Sequence, residues 1–496
     1  MKRSLRSLPL AILCSAPLAH GLQGEVEGCP LGIRIPIPVL GVDSYLGQPG
    51  GLYPDGFNEP PEDHRQAILD NALAIEPLNA AGEFSPDGWI GFVSIGFSNP
   101  THEFGAFVHQ ENANAARNAR VVLANLGRGG VGVVDATDPD PATGQNQYWN
   151  GVLERLAIAG LTQEQVQVVW LKSTYEGPTG CFLEAAGAFQ DAMVELVHAV
   201  RFHFPNIKLC YLSSRIYAGY ADPALNDSPE PYAYEEGFAI KWLIQDQIEG
   251  VPELEYSDPG DPAPLLLWGP YLWANGTEFP YEDLVWVPAD FEQGGADPHP
   301  SPQGEQKVAD ALSDFLANDE SALEWWPAEP GLALQTLNPT DDTYARQGDV
   351  DTHGTEPVLR VDALRTSLLR FELPDTGTSI VRANLGLRIA PNLRGDNVDV
   401  YLVPDDMWSE VTLSACTMPV ALTPQAQIPL QFTRSGYVSL DLTNLVLAEQ
   451  QGDGVLSLRL VGLQGTAAEV GYQSKESGIG GSFEFPPQLV LAVDAP

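Results

Sequence analysis

Basic residues are scarce in this 496-residue chain: 25 Lys and Arg stand against 66 Asp and Glu, a formal charge of −41, and only 6 of the bases are lysine. A surface of that sign repels both a nucleic-acid backbone and an anionic membrane, so neither is expected as a partner. Long hydrophobic runs are missing too, and no apolar stretch reaches the ~20 residues of a membrane span. Cysteine occurs only 5 times, at spacings that offer no zinc site. His64, His109, His198 and His203 likewise have no partner at metal-ligand spacing. Internal repeats and low-complexity tracts are absent, and the 48 Gly and 42 Pro follow no period, which excludes a collagen-like chain. What is present is a hydrophobic share of 44% against a charged share of 18%. That is enough apolar material for packed cores and excludes an acidic disordered chain. At ~150 residues per domain the length allows two or three domains.

The N-terminus has the pattern of a processing signal. Lys2, Arg3 and Arg6 precede a short apolar run over 8–19, and Ala19-His20-Gly21 places small residues at the cleavage positions. This predicts a secretory signal peptide over 1–21 and a secreted or periplasmic protein. Cys29, Cys181, Cys210 and Cys416 remain after cleavage and allow three full pairings, between which the sequence does not choose. Dispersed acidity fits either a protein kept soluble in salt or simply an acidic secreted protein.

Residues 22–326 alternate strand and helix. Short apolar runs bounded by Gly, Pro or polar residues predict strands over 89–96, 120–125, 166–171, 207–212 and 264–268. Helices are predicted around 103–117, 146–159, 182–203 and 232–248; in the third, Ala186, Phe189, Met193, Leu196, Val197 and Val200 recur at helical spacing. Ser301-Pro302 then opens a last helix, with Ser as N-cap and Pro in the first turn. Such alternation predicts an α/β fold on a mostly parallel sheet, with ligands at the carboxyl ends of its strands. A Pro/Gly-containing stretch, 327–338, is expected to be a linker. Beyond it, over 339–496, strand signals dominate at 357–361, 366–372, 383–389, 398–402, 437–442, 456–460, 468–473 and 487–493. Many short strands separated by Gly, Pro and Asp predict an all-β sandwich or jelly roll.

Residues just past the α/β strands define the chemistry. Gly96-Phe97-Ser98-Asn99 follows the first strand, Gly127-Arg128-Gly129-Gly130 the second, and Lys172-Ser173-Thr174 the third. After the fifth, a long loop reaches Asp297-Pro298-His299-Pro300-Ser301 before the last helix. One hydroxyl, one imidazole, one nearby carboxylate and two glycine turns at one sheet edge are the inventory of acyl transfer. Each signal alone also has a bland reading: Ser98 as a capping serine, His299 as part of a helix-start turn, and Gly129-Gly130 as a tight turn. The Gly-x-Ser-x-Gly elbow is absent, because Pro100 stands at its last position. His102 and Glu103 follow Ser98; Ser213-Ser214-Arg215 with Tyr232, Tyr234, Glu235 and Glu236 fit either a sugar-binding surface or packing.

Gly-x-Ser after the first strand, a Gly turn after the second, and HPSPQGEQKVADAL over 299–312 together resemble the SGNH (GDSL-like) hydrolase superfamily across roughly 85–320. The resemblance implies a flavodoxin-like three-layer domain that hydrolyses esters, often on acetylated sugars, without a cofactor. It implies Ser98 as nucleophile, His299 as base, and Gly130 or Gly129 as oxyanion donor. Phe97 replaces the aspartate of the family's first block, and Ala296 replaces its acid, leaving Asp297 or Asp290 as alternatives. At the third block, where the family places an oxyanion asparagine, Lys172 stands instead, and Asn99 is a further candidate donor.

The C-terminal third has its own pattern: Asp341-Asp342-Thr343-Tyr344, Ser367-Leu368-Leu369-Arg370-Phe371, Ala383-Asn384-Leu385, Trp408-Ser409-Glu410, and Ser474-Lys475-Glu476 followed by Pro487-Gln488-Leu489. It resembles the DNRLRE-type β-sandwich module of secreted, polysaccharide-associated proteins, which implies carbohydrate binding. Asp341, Asp342, Asp349 and Asp351 are candidate ligands of a structural Ca²⁺, with a solvated acidic loop as the alternative. The expectation is therefore a secreted serine ester hydrolase acting on an acylated carbohydrate or polysaccharide and tethered by a binding module. The alternative is a non-catalytic extracellular polysaccharide-binding or adhesion protein.

Overall fold

The computed structural model describes residues 28–30, 32–137, 146–224, 226, 228–390, 397–429, 436–462, 469–477 and 485–495. The expected signal segment 1–21 lies outside them. Five strands form one parallel sheet: β1 (Ile90–Gly96), β2 (Val121–Asn125), β3 (Val166–Lys172), β4 (Leu209–Leu212) and β5 (Leu265–Trp268). Their order is β2-β1-β3-β4-β5. This is the flavodoxin order, and it reverses direction at the β1/β3 junction, where such folds leave a crevice. Every residue of the five strands is buried, as expected of strands covered on both faces.

Alternate side chains build two cores. Val93, Ile95, Val169 and Leu171 face helices α3 (Gln147–Ile158), α4 (Phe182–His203) and α5 (Tyr232–Ile248). Ile90, Phe92, Val168 and Trp170 face α1 (Glu62–Leu73), α2 (Ser98–Asn112) and α6 (Pro302–Asn318). The result is a three-layer α/β/α domain. The helix expected around 103–117 starts earlier, at Ser98. Pro100 does not prevent this, because a proline in the first turn gives up no intrahelical hydrogen bond. Ser98 is thus the first residue of α2, directly above the sheet edge.

The rest of the chain forms two antiparallel sheets. One contains β6 (Leu332–Leu337), β8 (Val358–Val361), β10 (Ile380–Ile389), β13 (Gly436–Asp441), β15 (Val470–Gln473) and β16 (Gln488–Asp494); the other contains β7 (Asp341–Arg346), β9 (Arg365–Glu372), β11 (Val398–Leu402), β12 (Pro424–Ile428) and β14 (Val455–Gly462). Leu385, Leu387 and Leu491 from the first meet Leu369, Phe371, Val400 and Leu458 from the second in one core. A helix, α7 (Thr443–Gln451), follows β13. The stretch 327–338, expected as a linker, instead contributes β6, which pairs with β16 from Leu332↔Asp494 to Leu337↔Leu489. Its partner lies some 150 residues away, so nothing local marks it as a strand.

The first of these sheets packs on the α/β domain through polar groups as well as apolar ones. Asn112 on α2 donates to Tyr437 Oη at 3.1 Å, and Tyr437 donates to Gln488 Oε1 at 3.1 Å. Asn384 donates to the Ala159 carbonyl at 3.2 Å, and Arg382 donates to the same carbonyl. Tyr437 and Phe485 also join the α/β core around Phe104 and Phe107.

Of the three full pairings open to the cysteines, none is formed: Cys29 bonds Cys181, while Cys210 is buried and Cys416 exposed as free thiols. The bridge ties the N-terminal segment to the start of α4 across 152 residues. Cys181→Ser is expected to lower unfolding stability by about 2–5 kcal/mol in a denaturant titration. A non-reducing peptide map should give one cross-linked pair, Cys29–Cys181; a cross-link through Cys210 or Cys416 would refute the assignment.

Candidate active site

β1 delivers its last residues to the crevice by a close approach. A Cβ at Gly96 would stand 1.9 Å from the Lys172 carbonyl oxygen, so only glycine fits beside β3 there. The Gly96 N–H donates to Tyr148 Oη at 3.0 Å, and its carbonyl accepts from the Arg128 N–H at 2.9 Å. These bonds fix the turn into α2, whose unpaired N–H groups and positive dipole end surround Ser98.

The loop before α6 brings the second group. Ser301 caps the helix, accepting from the Gly304 N–H at 3.4 Å. Upstream, the Glu292 N–H donates to the His299 carbonyl at 2.9 Å and the Ser301 N–H to the Asp290 carbonyl at 2.8 Å. His299 Nε2 lies 2.9 Å from Ser98 Oγ, and His299 Nδ1 lies 2.5 Å from Asp297 Oδ1. Asp297 also accepts from the His299 N–H at 3.1 Å and from Gln293 Nε2 at 3.0 Å. An ionised carboxylate only accepts, so the proton sits on Nδ1 and leaves Nε2 to accept from the Ser98 hydroxyl. Ser98 and His299 are both half-buried, and Asp297 is buried. The arrangement can move a proton from Ser98 to an imidazole whose tautomer is already set.

The structure separates the other expected groups. Asp290, the alternative acid, is buried and paired with Lys307 at 2.6 Å; it holds the loop rather than the imidazole. Lys172, the expected oxyanion donor, is fully buried instead, and its ammonium lies 2.6 Å from both oxygens of Glu103, one turn beyond Ser98 on α2. Burial lowers the Lys172 pKa to about 8 and raises that of Glu103, while their attraction opposes both shifts. Asn99, a second expected donor, gives its amide to the Pro298 carbonyl at 3.3 Å, clamping the His299 loop. Gly129 is half-buried and Gly130 exposed, in a turn anchored by Arg155, which donates to the Gly127 carbonyl.

Beneath the site lies a polar layer that the sequence did not reveal. Arg215 donates to Thr174 Oγ1 at 3.2 Å, and Glu236 accepts from Thr174 Oγ1 at 3.0 Å, Tyr175 N–H at 3.0 Å and Ser228 Oγ at 3.1 Å. Burial raises the Glu236 pKa to about 7. Glu235 accepts from Tyr45 Oη at 2.8 Å. All four of Tyr232, Tyr234, Glu235 and Glu236 are buried, which favours packing over a sugar-binding surface. The sequence signals for this layer were Thr174 after β3, Arg215 after β4 and the adjacent acids Glu235 and Glu236 at the start of α5, and none of them showed which would pair.

The four aspartates considered for Ca²⁺ do not converge. Asp341 pairs with Arg370, and Asp349 lies 3.7 Å from His353 Nε2 in the turn after β7 and accepts from the Asp351 N–H at 3.0 Å. Asp342 groups instead with Glu410 and Glu476, their oxygens within 4.8 Å of one another. The Lys475 ammonium contacts both glutamates, at 2.6 Å from Glu410. A protein cation therefore already pairs with two of the three carboxylates.

Residues 333–492 match the model of carbohydrate-binding module family 96. No curated protein matches the chain. Among solved structures, the chain aligns with a two-domain esterase active on acetylated mannans, crystallised with mannopentaose, at 10% identity and a TM-score of 0.25, covering 87% of this chain and 95% of that one. It aligns with the glycoside hydrolase domain of Endo-D from Streptococcus pneumoniae R6 at 9% identity and a TM-score of 0.18, covering 86% and 81%. Among the described residues, no helix is long and apolar enough to cross a membrane.

Because Lys172 and Glu103 are both fully buried, removing one charge strands the other. Glu103→Gln is expected to cost about 3–5 kcal/mol in urea unfolding. A joint Glu103→Leu and Lys172→Met replacement should recover most of that loss. A loss below about 1 kcal/mol for Glu103→Gln, the value of an exposed pair, would mean that water reaches the pair.

Proposed function

We propose that this protein is a serine ester hydrolase acting on an acylated carbohydrate, with Ser98, His299 and Asp297 as its catalytic triad. The observation that supports it is the continuous hydrogen-bonded chain from Ser98 Oγ through His299 to Asp297, with heavy-atom separations of 2.9 and 2.5 Å. Ser98 Oγ attacks the acyl carbon as His299 Nε2 takes its proton. The tetrahedral intermediate expels the alcohol oxygen, which leaves with that proton. Water then attacks the acyl-enzyme with His299 as base, releasing the carboxylic acid and restoring Ser98. Asp297 holds the Nδ1–H and stabilises the imidazolium. The oxyanion falls between the first N–H groups of α2 and the turn at Gly129 and Gly130, where backbone amides and the helix dipole stabilise negative charge. No cofactor enters these steps.

The carbohydrate in this proposal comes from the family match over 333–492. An attached binding module raises the effective concentration of polymer at the site. Export supplies the setting: the basic and apolar start of the chain reads as a secretory signal, and a disulfide between Cys29 and Cys181 persists best in an oxidising compartment.

The test is acetate release from acetylated polysaccharides and a chromogenic acetate, alongside labelling by a fluorophosphonate. Ser98→Ala is expected to abolish labelling and lower kcat/KM by about 10³-fold or more, with His299→Ala comparable. Asp297→Asn should retain the fold and lose a similar factor, because the Nδ1 proton is no longer held. Wild-type activity in Ser98→Ala would refute the proposal. Binding to polysaccharide with no hydrolysis by the wild-type chain would establish the non-catalytic reading instead.

A further inference from the structure

One buried guanidinium joins the second domain to α2, which begins with Ser98, and to α6, which follows the His299 loop. Arg388, on β10, is 2% exposed. Its Nη2 donates to Glu305 Oε1 at 2.6 Å and Oε2 at 2.7 Å, and its Nη1 donates to the His102 carbonyl at 3.3 Å. Glu305 lies in the first turn of α6, six residues after His299; His102 lies one turn after Ser98 on α2. Glu305 Oε1 is also 3.4 Å from His102 Nδ1. The His102 ring stacks against the His299 ring, with centroids 5.3 Å apart and planes at 22°. His102 therefore lies against one face of the His299 ring, whose two nitrogens bond Asp297 and Ser98, and Glu305 and Arg388 stand behind His102.

The sequence makes room for this contact at a cost. Gly105 sits inside α2, where glycine is unfavourable relative to alanine. A Cβ there would lie 2.8 Å from Arg388 Nη1 and 3.2 Å from Tyr437 Cβ. Phe485 covers the guanidinium at 5.2 Å.

We propose that Arg388 is a positioning residue for the active site, so that the β-sandwich and the α/β domain form one catalytic unit rather than an enzyme with a detachable binding module. This rests on the serine-hydrolase reading for its catalytic consequence. Its physical content, that Arg388 sets the orientation of the His299 ring through Glu305 and His102, is independent of that reading.

The test uses the full chain and two readouts: steady-state hydrolysis of an acetyl ester, and the ring resonances of His299 in histidine-labelled protein, assigned by their absence in His299→Ala. The Arg388→Met, Glu305→Gln double variant removes the pair without stranding a charge. It is expected to shift the His299 resonances and lower kcat about 10- to 100-fold, the effect of misplacing a catalytic group by about an ångström. KM should stay within about twofold, because substrate binding is untouched. Gly105→Ala, which crowds the guanidinium while favouring the helix, should move both readouts in the same direction, and Arg388→Lys should fall between it and wild type. Arg382→Met, at the same domain contact but bonded to Ala159 and Gly160, should lower the melting temperature and leave both readouts unchanged.

Unchanged resonances and kcat in a folded Arg388→Met, Glu305→Gln protein would overturn the proposal. If the double variant does not fold, unchanged readouts in Gly105→Ala and Arg388→Lys would overturn it equally. Ester hydrolysis that survives Ser98→Ala would sink the hydrolase reading alone, while the His299 resonances would still decide the role of Arg388.

Discussion

The reversal of strand order between β1 and β3 is the constraint from which the rest of this structure follows. Chain leaving β1 must turn one way and chain leaving β3 the other, so the two connections part and leave a crevice. Ser98 stands on one side of it as the first residue of α2. The returning loop before α6 closes the other side with His299 and Asp297. The approach is tight enough that Gly96 touches the backbone of Lys172. Two segments some 200 residues apart meet because the sheet leaves them no other place.

Charges beneath that crevice set its rigidity. Lys172 with Glu103 and Arg388 with Glu305 are buried pairs, and Glu236 and Arg215 both bond Thr174 in a buried network. Taking such groups out of water is unfavourable, and their mutual attraction offsets this only when geometry and hydrogen bonds are good. What they contribute is orientation: Arg388, with Nη2 on both oxygens of Glu305 and Nη1 on the His102 carbonyl, has few alternative arrangements. Lys172 illustrates how burial reverses a sequence-level role. At the end of a parallel strand it stood where a catalytic donor is expected, but the carboxylate of Glu103 takes all of its ammonium.

The two domains share more than a linker. The sheet containing β10, β13 and β16 lies on α2, and Tyr437 and Phe485 complete an apolar core otherwise built by the α/β domain. Hydrogen bonds through Asn112, Arg382 and Asn384 cross the same boundary. An interface both apolar and polar, with buried charges, resists rigid-body movement more than a rim of surface contacts would. The helix that begins with Ser98 therefore has one face in each domain.

Local chemistry made much of this chain legible. The five α/β strands are unbroken apolar runs because both of their faces are covered, and they were readable to within two residues. The stripe of α4 and the Ser301-Pro302 start of α6 were readable for the same reason: burial and capping leave residues at fixed spacings. Ser98, Asp297 and His299 were legible as candidates because a fold class places function at strand ends. What the sequence could not determine depended on partners far away in the chain. β6 is a strand only because β16 offers it an edge. Asp297 meets His299 while Asp290 meets Lys307, and Cys29 finds Cys181 rather than Cys210 or Cys416. Arg388 reads as one more polar residue on a strand until the sandwich docks and turns it toward Glu305. Propensity and periodicity are local quantities, and pairing across hundreds of residues is decided only by the packed tertiary structure.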